Sequence, residues 1–287
     1  MPRVAVIQME TDPASKVRTI ERSLGFIRSA AAGGARLVVL PELAATRYLL
    51  SGVAEVECVA EPASGGEALD AWREAARVHD IYIVAGFAER DPAGGFYNSA
   101  AVIGPRGVLG VYRKLHLFDW ERRVFFPGDR GLPVFDLPWC RIGVLICYDL
   151  RFVEAVRLLA LKGVDLLCVP TTWTDLYKPR PWDERGWCQA NYLAMVHAYT
   201  NRIYVACANR CGREGHVRYL GCSLVVSPHG GVLAGPAAPE REVVLWAEID
   251  PERARDKSLG PEGDLWADRR ADAYLVRDLF DLKEGTA

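Results

Sequence analysis

Residues Arg141-Ile-Gly-Val-Leu-Ile-Cys-Tyr-Asp-Leu-Arg-Phe-Val-Glu154 constrain this chain more than any other stretch. The branched apolar run Ile142 to Ile146 reads as a buried strand. It stops at Cys147, and from Arg151 a helical pattern runs on to Gly163. The strand-to-helix corner holds the cysteine between two rigid elements. Backbone N–H groups at a helix start favour negative charge. The sequence therefore predicts a thiol of lowered pKa that serves as a nucleophile, set against the alternative of a buried structural thiol.

The rest of the chain extends the same architecture. Val4 to Gln8 reads as a first strand, and Asp12-Pro13 as an N-cap with proline at the first helical position. Val17, Ile20, Leu24, Ile27 and Ala31 follow at helical spacing until Gly33-Gly34. Arg36 to Leu40 is a second buried strand leading to Glu42, and a helix from Glu67 to His79 leads into the strand Ile81 to Gly86. This rhythm packs helices on a sheet. Tyr97 to Ile103 and Val108 to Leu117, joined through Gly104-Pro105-Arg106-Gly107, read as an antiparallel hairpin, so the sheet is mixed. Val164 to Val169, Ile203 to Ala208, Ser223 to Ser227, Val232 to Leu233 and Val243 to Ile249 read as further strands, with a long helix over Glu184 to Asn201. Residues 1–255 make the expected catalytic domain. Residues 256–287 have little periodicity and are expected to pack on the body or cross to a partner subunit.

Composition removes several classes of function. Half of the 287 residues are apolar and a quarter charged, with a formal net charge of −2 and the signs interspersed, so nothing marks a nucleic-acid surface. No apolar run approaches the roughly 18–20 residues that span a bilayer. The apolar stretch at the start is too short for a signal segment and closes at Glu10, so the cytosol is the expected compartment. The eight cysteines lie mostly in apolar runs, as Cys168 and Cys207 do, and read as reduced hydrophobes. Cys207 and Cys211 lack a second close pair, so no metal site is expected.

Three reactive groups stand where strands stop: Glu42, Lys114 and Cys147. Strand ends of an α/β sheet form the ligand crevice. There Glu42 can take the thiol proton and later activate water, Lys114 can stabilise the thiolate and an oxyanion, and Cys147 can attack a carbonyl or nitrile carbon.

Pro41-Glu42-Leu43, Tyr112-Arg-Lys114-Leu-His-Leu-Phe118 and Ile146-Cys147-Tyr-Asp-Leu-Arg-Phe152 resemble, in order and separation, the three catalytic signatures of the nitrilase superfamily, the carbon–nitrogen hydrolases. Val4 to Gln8, Tyr97-Asn98-Ser99 and Phe126-Pro127-Gly128-Asp129 agree with it, and the resemblance covers about residues 3 to 250. It implies an αββα sandwich with mixed sheets that dimerises through helices near the active site, and a Glu42–Lys114–Cys147 triad that needs no metal or organic cofactor. It also implies that Glu121 is a second glutamate positioning substrate and Lys114, and that the Tyr148 N–H is an oxyanion donor. Val153 stands where many members carry proline. Tyr148-Asp149 differs from the Trp-Glu pair of true nitrilases and moves the expectation toward amides. His116 shares a strand face with Lys114, so a Cys147–His116 dyad is an alternative, whereas the resemblance gives His116 a supporting place.

The resemblance also places Thr172 and Trp173 at the acyl pocket. Tyr48, just after the glutamate loop, is the expected second wall, and no residue declares a carboxylate clamp, with Arg180 and Arg210 the two candidates for one. Trp173 to Trp187 serves as lid or connector. The expected reaction is hydrolysis of a small, mostly apolar amide through a thioester. The alternatives are a nitrilase, an N-carbamoyl amidohydrolase and a non-catalytic binding protein on the same fold. The expected partners are a small amide or nitrile and further copies of the chain, with no nucleic acid and no membrane.

Overall fold

Fully apolar strands need cover on both faces, and the chain meets that need with two stacked sheets between two helix layers. The computed structural model describes residues 1–176 and 181–273. Its first unit, Met1–Arg255, opens with β1 (Arg3–Gln8), α1 (Lys16–Ala32), β2 (Ala35–Val39), α2 (Val53–Val59), β3 (Glu61–Pro62) and α3 (Glu67–His79). There follow β4 (Tyr82–Arg90), β5 (Phe96–Gly104), β6 (Gly107–Arg113), β7 (Val134–Leu137), β8 (Cys140–Val144), α4 (Val153–Leu161) and β9 (Leu166–Pro170). The unit ends with α5 (Gln189–Asn201), β10 (Tyr204–Ala208), β11 (Arg213–Glu214), β12 (Val217–Arg218), β13 (Leu224–Val226), β14 (Val232–Ala234), β15 (Val243–Glu248) and α6 (Pro251–Arg255).

One sheet has the order β15-β1-β2-β4-β5-β6, with β3 beside β4, and the other the order β14-β13-β10-β9-β8-β7. Helices α1 and α3 cover the first, α5 packs on β10 and β13 of the second with α4 beside it, and β1, β2 and β4 meet β9 and β10 between the layers. This is the αββα sandwich with mixed sheets. Under α1 and α3, Ile20, Ile27, Leu69 and Trp72 pack with Ile7 and Ile83 in one buried cluster. The Trp72 indole donates to Ser23 Oγ at 2.9 Å, which satisfies its polar edge inside that layer.

The strand directions decide which ends meet. β2 runs parallel to β1 and β4, while β5 is antiparallel to both β4 and β6. The end of β6 and the start of β5 therefore lie at the same edge as the end of β2. In the second sheet, β8, β9 and β10 are mutually parallel.

Several boundaries differ from the sequence expectation, each because a side chain captures backbone groups. Ser15, not Asp12, caps α1 by accepting from the Arg18 N–H at 3.2 Å. Asp12 instead accepts from the Ala14 N–H at 2.9 Å and pairs with Arg18. Helix α5 starts at Gln189 rather than Glu184, because Asp183 Oδ1 accepts from the N–H groups of Arg185 and Trp187 at 2.9 and 3.0 Å and folds that segment into a turn. The hairpin strand β6 ends at Arg113, since the next free N–H groups go to side chains: Leu115 to Tyr112 and His116 to Asp149. Helix α2 and the short strands β3, β7, β11 and β12 carry too few patterned residues to have been read from sequence.

The second unit, Asp256–Ala287, is described as far as residue 273 and consists there of turns and bends with one antiparallel bridge, Ser258 to Asp264, and Lys257 over the Trp266 ring at 4.9 Å.

Gly86 on β4 lets the Glu42 segment pass close over it. A Cβ there would sit 2.6 Å from Glu42 Cα and Leu43 N and 2.7 Å from the Pro41 carbonyl oxygen. Backbone cannot yield as a flexible side chain can, so Gly86→Ala should cost about 1–3 kcal/mol in urea unfolding and displace Glu42, with activity falling alongside. An unchanged midpoint and activity would contradict this packing.

Candidate active site

Glu42 lies three residues beyond β2 and is fully buried. The turn after it is held from inside: Leu43 has a left-handed φ of 48°, and the buried Arg210 guanidinium donates to the carbonyls of Glu42, Leu43 and Thr46 at 2.6–3.2 Å. Arg210 is therefore committed to the Glu42 loop and is not a substrate clamp. Its partners lie more than 160 positions away in sequence, which is why no local pattern announces the bond. Arg180, the other clamp candidate, lies outside the described residues.

Lys114 is the first residue after β6. Its Nζ donates to Glu42 Oε1 at 2.7 Å and lies 2.8 Å from both Glu121 oxygens. All three side chains are excluded from solvent. Burial alone would lower the lysine pKa, but the Glu121 and Glu42 charges outweigh it and raise the value, so Lys114 stays an ammonium. One cation between two carboxylates leaves an excess negative charge. Burial, together with Glu42, pushes the Glu121 carboxyl up to about 7 against the pull of Lys114. Glu121 also accepts from the Tyr48 hydroxyl at 3.0 Å and from the Phe118 N–H at 3.0 Å.

The two Glu42 oxygens are unequal. Oε1 receives Lys114 and, at 2.8 Å, the amide Nδ2 of Asn98, whereas Oε2 is buried with no partner. Asn98 enters at the start of β5 and was not among the site residues expected from sequence. The flanking Tyr97-Asn98-Ser99 motif was its only signal.

Cys147 follows β8 by three residues and has φ 46°, a strained left-handed geometry for a residue with a side chain. It opens a single 3-10 turn, Cys147–Arg151, in front of α4. Asp149 clamps this turn: its Oδ2 accepts from the Ile146 N–H at 3.0 Å and the Tyr112 hydroxyl at 2.7 Å. Its Oδ1 accepts from the His116 N–H at 2.9 Å and lies 2.8 Å from His116 Nδ1. Asp149 thus joins the segment after β6 to the turn that carries the thiol. His116 is held by Asp149 and stacked on Phe152 with centroids 3.5 Å apart, a structural placement in place of a dyad with Cys147.

The thiol does not have the lowered pKa that the corner suggested. Burial and the neighbouring Glu42 charge push it up to about 12, against the smaller pull of Lys114. A short 3-10 turn supplies too little dipole to reverse that balance. At neutral pH the resting group is a protonated thiol, and a base must act during attack.

A cavity of about 650 Å³ opens on Cys147, lined by Trp173, Thr172, Tyr148, Phe118, Leu193 and Leu220 among others. The Thr172 hydroxyl is buried without a protein partner. Arg151 is the charged residue of that lining among the described residues. Tyr48 does not line it. Its hydroxyl is spent on Glu121, and its N–H donates to Glu214 at 2.9 Å, so it backs the carboxylate and forms no acyl wall. A separate cavity of about 760 Å³ contains His116 and shares Tyr148 but not Cys147. Among the described residues no cluster of three or more His, Cys, Asp or Glu side chains is placed to hold a metal, and no helix is long and apolar enough to cross a membrane.

Residues 3–257 match the family model of the carbon-nitrogen hydrolases. A nitrilase of Pyrococcus abyssi is 38% identical over 96% of this chain and 100% of its own length. Human omega-amidase NIT2 is 33% identical over 96% of this chain and 97% of its own. Among solved structures, Nit3 of Saccharomyces cerevisiae, a member of branch 10 of the nitrilase superfamily, has a TM-score of 0.77 at 26% identity, covering 88% of this chain and 92% of that one. A variant amidase of Nesterenkonia sp. AN1, carrying a Michael adduct of acrylamide on its active-site cysteine, has a TM-score of 0.76 at 26% identity, covering 97% and 100%.

The raised Glu121 carboxyl gives stability a pH dependence. The native state holds this proton more tightly than an unfolded chain titrating near 4.5, so stability falls as pH rises from about 4.5 through 7. Between about pH 5 and 8 the wild type should lose on the order of 1–3 kcal/mol relative to Glu121→Gln, read from urea midpoints. A pH-independent difference would contradict the raised Glu121 carboxyl.

Proposed function

This chain belongs to the carbon–nitrogen hydrolases, enzymes that act on non-peptide carbon–nitrogen bonds, and on that footing we propose that it converts a small amide to a carboxylic acid and ammonia through a thioester on Cys147. One observation carries the reading: a buried carboxylate, Glu42, with one oxygen tied to Lys114 and the other bare, whose charge is felt by a protonated thiol.

On this reading Glu42 Oε2 accepts the thiol proton as Sγ attacks the amide carbonyl carbon. Lys114 Nζ and the Tyr148 N–H stabilise the oxyanion, since N–H groups in the first turn of a helical segment lack partners within it. The proton on Glu42 then passes to the departing nitrogen, the C–N bond breaks, and ammonia leaves. Glu42 next takes a proton from water, hydroxide adds to the thioester carbon, and collapse releases the acid while the proton returns to sulfur. One amide and one water become one acid and one ammonia, with the enzyme regenerated. Glu121 keeps Lys114 placed, and Thr172 and Trp173 bound the acyl group.

Among the described residues of the lining only Arg151 is charged, which favours an acyl chain ending in a carboxylate, in keeping with a human relative named omega-amidase. A second reading, a nitrile substrate, is favoured by the higher identity to the Pyrococcus nitrilase. The Tyr148-Asp149 pair does not argue strongly against it, because Asp149 is spent on Ile146, Tyr112 and His116. The catalytic unit would be residues 1–255. Leu158, Val196 and Tyr199 on α4 and α5 are each at least half exposed, an apolar face that a second copy would cover.

Ammonia release should be measured on succinamate, a short aliphatic amide, its nitrile and an N-carbamoyl amino acid. Succinamate is expected to turn over fastest, Cys147→Ala to be inactive yet folded, and Glu42→Gln and Lys114→Ala to lose most activity. Preference for the nitrile would replace the amide reading, and full activity in any of the three variants would remove the triad. Sedimentation should give a dimer that Leu158→Glu with Val196→Glu reduces to a monomer; an unchanged dimer would place the interface elsewhere.

A further inference from the structure

We propose that Asn98 is the positioning residue that makes Glu42 a one-sided base, fixing Oε1 as the anchored oxygen and leaving Oε2 as the proton acceptor. This deepens the reading of Glu42 as the base and rests on it. Lys114 alone does not distinguish the oxygens, since an ammonium can swing between them, and it already does so geometrically at Glu121, where both oxygens lie 2.8 Å away. At Glu42 a second, planar donor arrives on the same atom. The Asn98 amide reaches Oε1 at 2.8 Å beside the Lys114 bond of 2.7 Å. Two donors from different directions set the plane of a carboxylate, and Oε2 is left buried and unbonded.

Asn98 is itself held rigidly. It is fully buried on β5 opposite Ala88, and its carbonyl accepts from the Lys114 N–H at 2.9 Å, so one residue sets both the backbone of the lysine and the side chain of the glutamate. Its own Oδ1 is buried with no partner, an uncompensated cost for an amide whose place would otherwise suit an apolar residue. The next residue, Ser99, sends its hydroxyl to Glu89, in keeping with the alternation of the strand. The other titratable or charged groups around Glu42 are Lys114, Glu121, Cys147, Tyr48, Tyr219 and Arg210. Arg210 reaches only its backbone carbonyl, and none of the others donates to its carboxylate apart from Lys114.

The experiment compares full-length wild type with Asn98→Leu, nearly isosteric and without the donor, and Asn98→Asp, on the amide that the wild type turns over fastest. For Asn98→Leu, kcat should fall roughly 10- to 100-fold with KM within about twofold, because the base is mispositioned while the acyl pocket is intact. Withdrawing a donor from a carboxylate disfavours its charged form, so the acid limb of the kcat/KM profile should move to higher pH, and further for Asn98→Asp, which adds a like charge. A wild-type limb and kcat in either variant overturns the proposal. So does a kcat loss that only tracks a lower folded fraction by circular dichroism, with the limb unmoved. If Asn98→Leu does not fold, Asn98→Asp decides alone. Glu42→Gln run in parallel separates the layers: activity there removes the base itself, whereas an inactive Glu42→Gln beside unaffected Asn98 variants removes only the positioning role.

Discussion

The structure turns on one ammonium shared by two buried carboxylates. Removing Lys114, Glu42 and Glu121 from water is costly, and mutual attraction repays it only when geometry and further hydrogen bonds are good. The fold supplies both. β6 runs parallel to β2 because a hairpin partner, β5, lies between β4 and β6, so the lysine after one strand meets the glutamate after the other. Asn98, Tyr48 and the Phe118 N–H then complete the carboxylates. The incomplete atom, Glu42 Oε2, is the one the proposed chemistry needs.

The thiol follows from the same electrostatics. A Cys147 that rested as a thiolate would add a third negative charge to a buried cluster holding one cation. Burial and Glu42 keep it protonated instead, so reactivity is deferred until a substrate carbon is in place and the proton can move to Glu42 as the bond forms. The left-handed turn at Cys147 and the Asp149 clamp beneath it fix where the sulfur sits, and this leaves the lining of the cavity free to choose the acyl group.

Much of this was legible in the sequence because strand ends in an α/β sheet converge. Glu42, Lys114 and Cys147 stand out as reactive groups after apolar runs, and the mixed sheet follows from the hairpin around Gly104 to Gly107. What was not legible depends on partners far apart in the chain. Arg210 looked like a free cation until the Glu42 loop folded over it, and Tyr48 like a pocket wall until Glu121 came beneath its hydroxyl. Asn98 gave no chemical signal of its own. The thiol pKa was misjudged for a related reason: a helix start is a local feature, whereas burial and the Glu42 charge arise only in the assembled site. Helix starts at Ser15 and Gln189 moved because Asp12 and Asp183 captured backbone N–H groups.

The most direct test of the account is to trap the covalent intermediate. The wild-type enzyme should be mixed with an excess of the preferred amide, quenched in acid during turnover, and digested. The account predicts an acyl mass on the peptide containing Cys147 and on none of the other seven cysteines. Consumption of the amide with Cys147 unmodified, or acylation of another residue in its place, would contradict it.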